Sequence, residues 1–78
     1  MTSCTNEFCY NLGLALTAAR KSKNMTRSEL SRRSGVPYVT LECAENGKSS
    51  ATVWTLVRIT KALGVSVGEV LADAEQWI

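Results

Sequence analysis

The chain has 78 residues, 45% of them hydrophobic and 21% charged, with a net charge of +2. That balance describes one globular domain and excludes a disordered chain, and its core is too small to hide a sizeable enzyme cleft. No apolar run approaches the length needed to cross a bilayer and no secretory leader is visible, so the cytoplasm is the expected location.

In chain order, residues 1–5 read as a loose, flexible tail, leaving 6–78 as the folded domain. A first helix is predicted from about Asn6 to Ser22, because Phe8, Leu12, Ala15, Leu16 and Ala19 recur on one face at helical period. Gly13 weakens that helix by up to ~1 kcal/mol relative to alanine, and its missing side chain suits close helix packing. Thr26 and Glu29 form a T-x-x-E capping box for a second helix over about 27–34, with Leu30 as its apolar anchor. Gly35 is placed to stop that helix in a left-handed conformation. Val36 reads as a buried hinge, and Pro37 as the first residue of a third helix over 37–45, where its absent N–H costs nothing. Gly47 closes the third helix as Gly35 closes the second. Helix, short glycine turn, helix is the arrangement whose second helix can enter a DNA major groove.

A polar loop, residues 46–50, leads to a fourth helix capped by Ser50 or Thr52, with Val53, Leu56, Ile59, Ala62 and Leu63 as its buried stripe. Gly64 ends it. Ser66 and Glu69 form a second capping box, and Val67, Val70, Leu71 and Ala74 are the apolar positions of a fifth helix. The expectation is a compact, all-α, five-helix domain with short connections.

Charge is unevenly spread. Residues 1–48 hold seven Lys/Arg against four Glu, giving +3, and residues 49–78 hold two against three Asp/Glu, giving −1. The basic half contains the helix pair, as phosphate binding requires, although a solvated surface would look similar. The chain has three cysteines and no histidine. Those cysteines fit neither a disulfide framework nor a common zinc spacing, so they read as reduced thiols, with Cys43 a candidate redox site on the third helix. No cofactor and no metal is expected. Without histidine, paired carboxylates, a phosphate-cradling glycine loop or an activated nucleophile, an enzyme is not expected either.

With those elements placed, the chain resembles the Cro/CI-type helix-turn-helix family, also called XRE. The matching residues are Leu12 and Leu16 ahead of Arg20, then MTRSEL, SGV, ENGK and LVRITKALGVSVGEVL, spanning about residues 8–72. The resemblance implies a lambda-repressor-like fold and operator binding as a homodimer, as in phage repressors and restriction–modification controllers. It also implies a structural ion pair between Arg20 and Glu45. The family often carries glutamine where Arg27 stands and a large aliphatic where Ala44 stands, and its base-reading positions are usually more polar than those here.

Residues near the start of the third helix and one turn later project toward a groove, which nominates Tyr38, Val39, Thr40 and Cys43 as base-facing. Val39 and the Thr40 methyl suit thymine methyls, and the hydroxyls of Tyr38 and Thr40 reach bases or phosphates. None can make a bidentate arginine–guanine or glutamine–adenine pair, so A·T preference or readout through DNA shape is expected. The plainer alternatives are a core role for Val39 and an idle surface aromatic for Tyr38. Leu41 should point inward against Leu30. Arg27, Lys48, Ser49 and Ser50 are the phosphate candidates.

Val70, Trp77 and Ile78 are the candidate dimer interface, a two-fold contact through the fifth helix with help from the fourth, with Trp77 folded back on its own core as the alternative. Trp54 suits either a dimer or a phosphate, and the sequence does not choose. Glu42 is a candidate RNA polymerase contact if the protein activates, and otherwise a solvated charge. The competing function is a helix-turn-helix antitoxin or protein-binding adaptor, which the apolar third helix and low net charge favour.

Overall fold

The computed structural model describes residues 7–48 and 52–75. They form five helices: α1 (Glu7–Ser22), α2 (Arg27–Ser34), α3 (Tyr38–Glu45), α4 (Val53–Leu63) and α5 (Val67–Glu75). The segments 1–6, 49–51 and 76–78 lie outside the described residues. The expected tail, the Ser50 cap and the roles assigned to Ser49, Ser50, Trp77 and Ile78 fall there.

Local chemistry sets the helix ends. The α2 cap is Thr26, whose hydroxyl accepts from the Glu29 N–H at 3.1 Å. The reciprocal half of that box is replaced, because the Glu29 carboxylate pairs with Arg33 one turn on, at 2.8 Å. Thr52 caps α4 by accepting from the Thr55 N–H at 3.1 Å. The Ser66–Glu69 box closes in both directions, at 3.0 and 3.2 Å. Pro37 departs from expectation: its ψ of 143° makes it the residue before α3 rather than its first turn. Its carbonyl still accepts from the Leu41 N–H.

At their C-terminal ends, α1, α3 and α4 turn over in the same way. The chain reverses at Asn24, Gly47 and Gly64, all with positive φ, and the next N–H bonds back to a carbonyl five residues earlier. This satisfies carbonyls that a helix end would otherwise leave unpaired.

Leu12, Leu16, Leu30, Val36, Leu41, Ala44, Leu56, Ile59, Leu63, Val70 and Ala74 make one core, with Phe8, Ala15, Ala19 and Leu71 packed around it. Helix α1 packs against α3 and α5, α2 against α3 and α4, and α4 against α5. Val53 departs from the predicted α4 stripe and is 76% exposed. The buried face of α4 is Thr55, Leu56, Ile59, Thr60 and Leu63. Val53 lies about a quarter-turn off its centre, in the first turn, where no other described helix covers it. The two buried threonines are satisfied, Thr60 by donating to the Leu56 carbonyl at 2.9 Å and Thr55 by accepting from Thr52 at 2.9 Å.

Helices α1 and α3 touch through backbone. A Cβ on Gly13 would stand 2.8 Å from the Ala44 carbonyl oxygen and closer still to that of Glu45. The helix therefore gives up alanine's propensity at this position to let two backbones meet.

A candidate nucleic-acid interface on α3

The turn between α2 and α3 is fixed from several sides. Gly35 has φ of 76°, and its N–H donates to the Ser31 carbonyl at 3.0 Å. The Ser31 hydroxyl donates to the Val36 carbonyl at 2.6 Å, and the Val36 N–H donates to Ser34 Oγ at 3.2 Å. From α4, Arg58 Nε donates to the Ser34 carbonyl at 2.8 Å. Arg58 was not among the residues singled out from sequence. It lies 24 positions from Ser34, and no local pattern announces a contact at that range.

This fixed turn delivers the start of α3 to the surface. Val39 is 67% exposed and Tyr38 43% exposed. Thr40 is also exposed, and Cys43 is half-buried with a free thiol. Leu30 and Leu41 are completely buried in the same core. A core role for Val39 is thereby excluded. The first turn of α3 carries no acidic residue and no side-chain cap. Its leading N–H groups are accordingly open to an anion. Lys48, just past the end of α3, is exposed.

Beneath this face lies an ion network. Arg20 Nε donates to Glu45 Oε2 at 2.8 Å and Arg20 Nη2 to Glu45 Oε1 at 3.2 Å. Arg20 Nη1 donates to the Met25 carbonyl at 2.9 Å, tying the α1–α2 connection to the same group. The Glu45 side chain is wholly buried. Arg27 joins from α2, its Nε donating to Glu45 Oε1 at 3.0 Å and its Nη1 lying 3.7 Å from Glu42. Partial burial pulls the Arg27 guanidinium down, but the Glu45 carboxylate and the Tyr38 hydroxyl outweigh it, so its pKa is raised. Arg27 therefore clamps α2 to α3, with about a quarter of its side chain left exposed. No buried side-chain nitrogen or oxygen lacks a hydrogen-bond partner among the described residues.

Two expectations change. Val70 is 4% exposed and sits in the core. Its side chain is already used inside the monomer and has almost no surface to give to a second copy. Cys9 is disulfide-bonded, not a reduced thiol. An odd cysteine count leaves one unpaired but does not stop two from pairing. No helix among those residues is long and apolar enough to cross a membrane, and no group of residues there could hold a metal.

Residues 16–70 match the helix-turn-helix family. The chain is 32% identical over 65 residues to an uncharacterised HTH-type transcriptional regulator, y4dJ, of Sinorhizobium fredii, covering 83% of this chain and 84% of that protein. The fold is similar to that of the clp gene regulator ClgR from Corynebacterium glutamicum, with a TM-score of 0.83, 33% identity and 88% of each chain covered. It is also similar to the restriction–modification controller protein C.AhdI from Aeromonas hydrophila, with a TM-score of 0.77, 19% identity, and 80% and 94% of the two chains covered. At that identity the likeness to C.AhdI is one of fold. The chain belongs to the XRE-type helix-turn-helix family of DNA-binding transcriptional regulators.

Proposed function

We propose that this regulator binds operator DNA sequence-specifically as a homodimer, placing α3 in the major groove. The observation that carries the reading is the exposed first turn of α3, Tyr38–Val39–Thr40, on a turn braced by Ser31, Ser34 and Arg58. A helix presented so firmly loses little entropy on docking. Val39 and the Thr40 methyl meet thymine methyls, Cys43 lies one turn deeper, and Tyr38 and Thr40 offer hydroxyls. Lys48, Ser49 and Ser50 hold phosphates beyond the end of α3, and Arg27 offers its exposed edge at the start of α2. With no bidentate base pairing available, specificity rests on thymine contacts and DNA shape.

The regulation proposed is control by the protein's own concentration, as in a phage-type repressor or a controller that regulates its own promoter. If the protein activates transcription, Glu42 is the RNA polymerase contact, made with the part of its carboxylate not engaged by Arg27. The deciding experiment titrates the protein against its own upstream promoter and a random duplex at two salt concentrations, with mass followed by light scattering. Tight, salt-weakened binding to the promoter alone by a dimer is the expected result. Equal weak binding to both duplexes would reject it and favour an antitoxin or adaptor, for which the apolar Val39 surface would be the protein-binding face.

A further inference from the structure

We infer that the cleft between α2 and α4 is a binding site for a small phosphorylated molecule, held by its phosphate monoester or pyrophosphate group. Arg33 and Ser34 from α2 and Arg58, Lys61 and Ala62 from α4 line a hollow of about 300 Å³. That volume is at the lower end of small-molecule pockets, which are mostly apolar. This one instead gathers three cations and no carboxylate. Like charges so placed repel one another, and an anion in the hollow relieves that repulsion. The inference does not rest on the operator reading, because it invokes no residue of α3 and is tested without DNA.

The cations differ in how they are held. Arg58 is ordered before any ligand arrives. Its Nε donates to the Ser34 carbonyl at 2.8 Å, and its guanidinium carbon lies 4.7 Å from the centre of the Trp54 ring. Its Nη2 lies against Gly35, where a side chain would displace it. The Nη groups keep no acceptor among the described residues. A guanidinium fixed in this way loses little entropy on binding, and its planar fork matches two phosphate oxygens. Lys61 follows at i+3 on the same face of α4, with no hydrogen bond or ion pair among the described residues. Arg33 is shared: its Nη2 pairs with Glu29 at 2.8 Å, and its side chain is 57% exposed. An exposed pair of this kind is worth little, so Arg33 turns to an anion at small cost.

Charge selects the class of ligand. A carboxylate or a DNA phosphodiester brings one negative charge, whereas a phosphate monoester brings nearly two. Three converging cations match the higher charge. Ala62 and the buried Ser34 complete the lining without adding a negative group.

The test is calorimetric titration of the full chain with sodium pyrophosphate at constant ionic strength, which removes diffuse screening as a cause. The arginine Nε–H signals of ¹⁵N-labelled protein are followed in parallel. We expect saturable binding that moves the Arg58 signal and is weakened about tenfold or more in Lys61→Gln and in Arg58→Lys. Lys21→Gln, which removes the same charge from an exposed position on α1, should leave binding within about twofold. Lys61 is exposed, so its variant should keep the wild-type melting temperature and carries the test even if Arg58→Lys folds poorly. No saturable binding, an equal loss in Lys21→Gln, or an Arg58 signal that does not move would each overturn the inference. Duplex titrations separate the other source of phosphate. A Lys61→Gln variant that lowers the salt slope of duplex binding by about one unit assigns the cleft to the DNA backbone, which also overturns it. An unchanged slope with pyrophosphate binding lost supports the free ligand. Pyrophosphate binding without salt-dependent promoter binding rejects the operator reading alone.

Discussion

The Arg20–Glu45–Arg27 network makes Glu45 a residue whose loss is felt across three helices. Glu45 is wholly buried and accepts from two arginines. Glu45→Ala would leave Arg20 charged, buried and without a carboxylate, which should cost about 3–5 kcal/mol. Replacing both Arg20 and Glu45 by apolar residues of similar size should cost much less, because no orphan charge remains. Urea melts of the two single variants and the double variant measure this as a coupling energy. Arg27→Gln should cost no more than about 1 kcal/mol, since the Arg27 side chain is about a quarter exposed and Arg20 keeps Glu45 paired. If Arg27 touches a phosphate, the same variant lowers the salt slope of DNA binding by about one unit. Val39→Ala removes an exposed side chain. It should leave thermal stability within about 0.5 kcal/mol and weaken binding to the operator by roughly 1–3 kcal/mol more than to random DNA. Competition binding against a random duplex reads that difference.

At the scale of the helices, Gly13 and Gly35 answer to different forces. Gly13→Ala gains up to about 1 kcal/mol of helix propensity, yet its methyl would collide with the Ala44 and Glu45 carbonyls. Backbone cannot step aside as a side chain can, so a net loss of roughly 1–3 kcal/mol is expected on chemical denaturation. The small side chain at Ala44, where the family usually has a large aliphatic, sits at this same close crossing. Gly35→Ala meets both a positive φ and the Arg58 guanidinium. It should therefore loosen the α2–α3 turn as well as destabilise the fold, weakening operator binding beyond what the stability loss alone predicts. Pro37 illustrates a limit of local reading. A proline near a helix start is satisfied equally well as the first helical residue or the residue before it, and its ψ, set by the turn, chose the latter.

For the whole molecule, length, helical periodicity and end signals determined the class, the five helices, and the identity of the presented helix. These features are local: caps act over three residues and apolar faces repeat every three or four. Sequence also pointed to Leu30 and Leu41 as core and to the first turn of α3 as surface, positions that one helix's own periodicity specifies. Tertiary structure alone decided which of several apolar faces is left over. Val53 and Val70 are both valines on amphipathic helices, yet one is 76% exposed and the other 4%. The difference lies in what packs opposite: α1 covers α5, while among the described residues no helix packs on the outer face of α4. Arg58 on the Ser34 carbonyl and Arg27 on Glu45 were likewise decided by assembly, across separations of 24 and 18 residues. Periodicity says how each helix divides into two sides. It carries no information about which other helix will arrive to cover them, because that depends on the summed packing of the whole core.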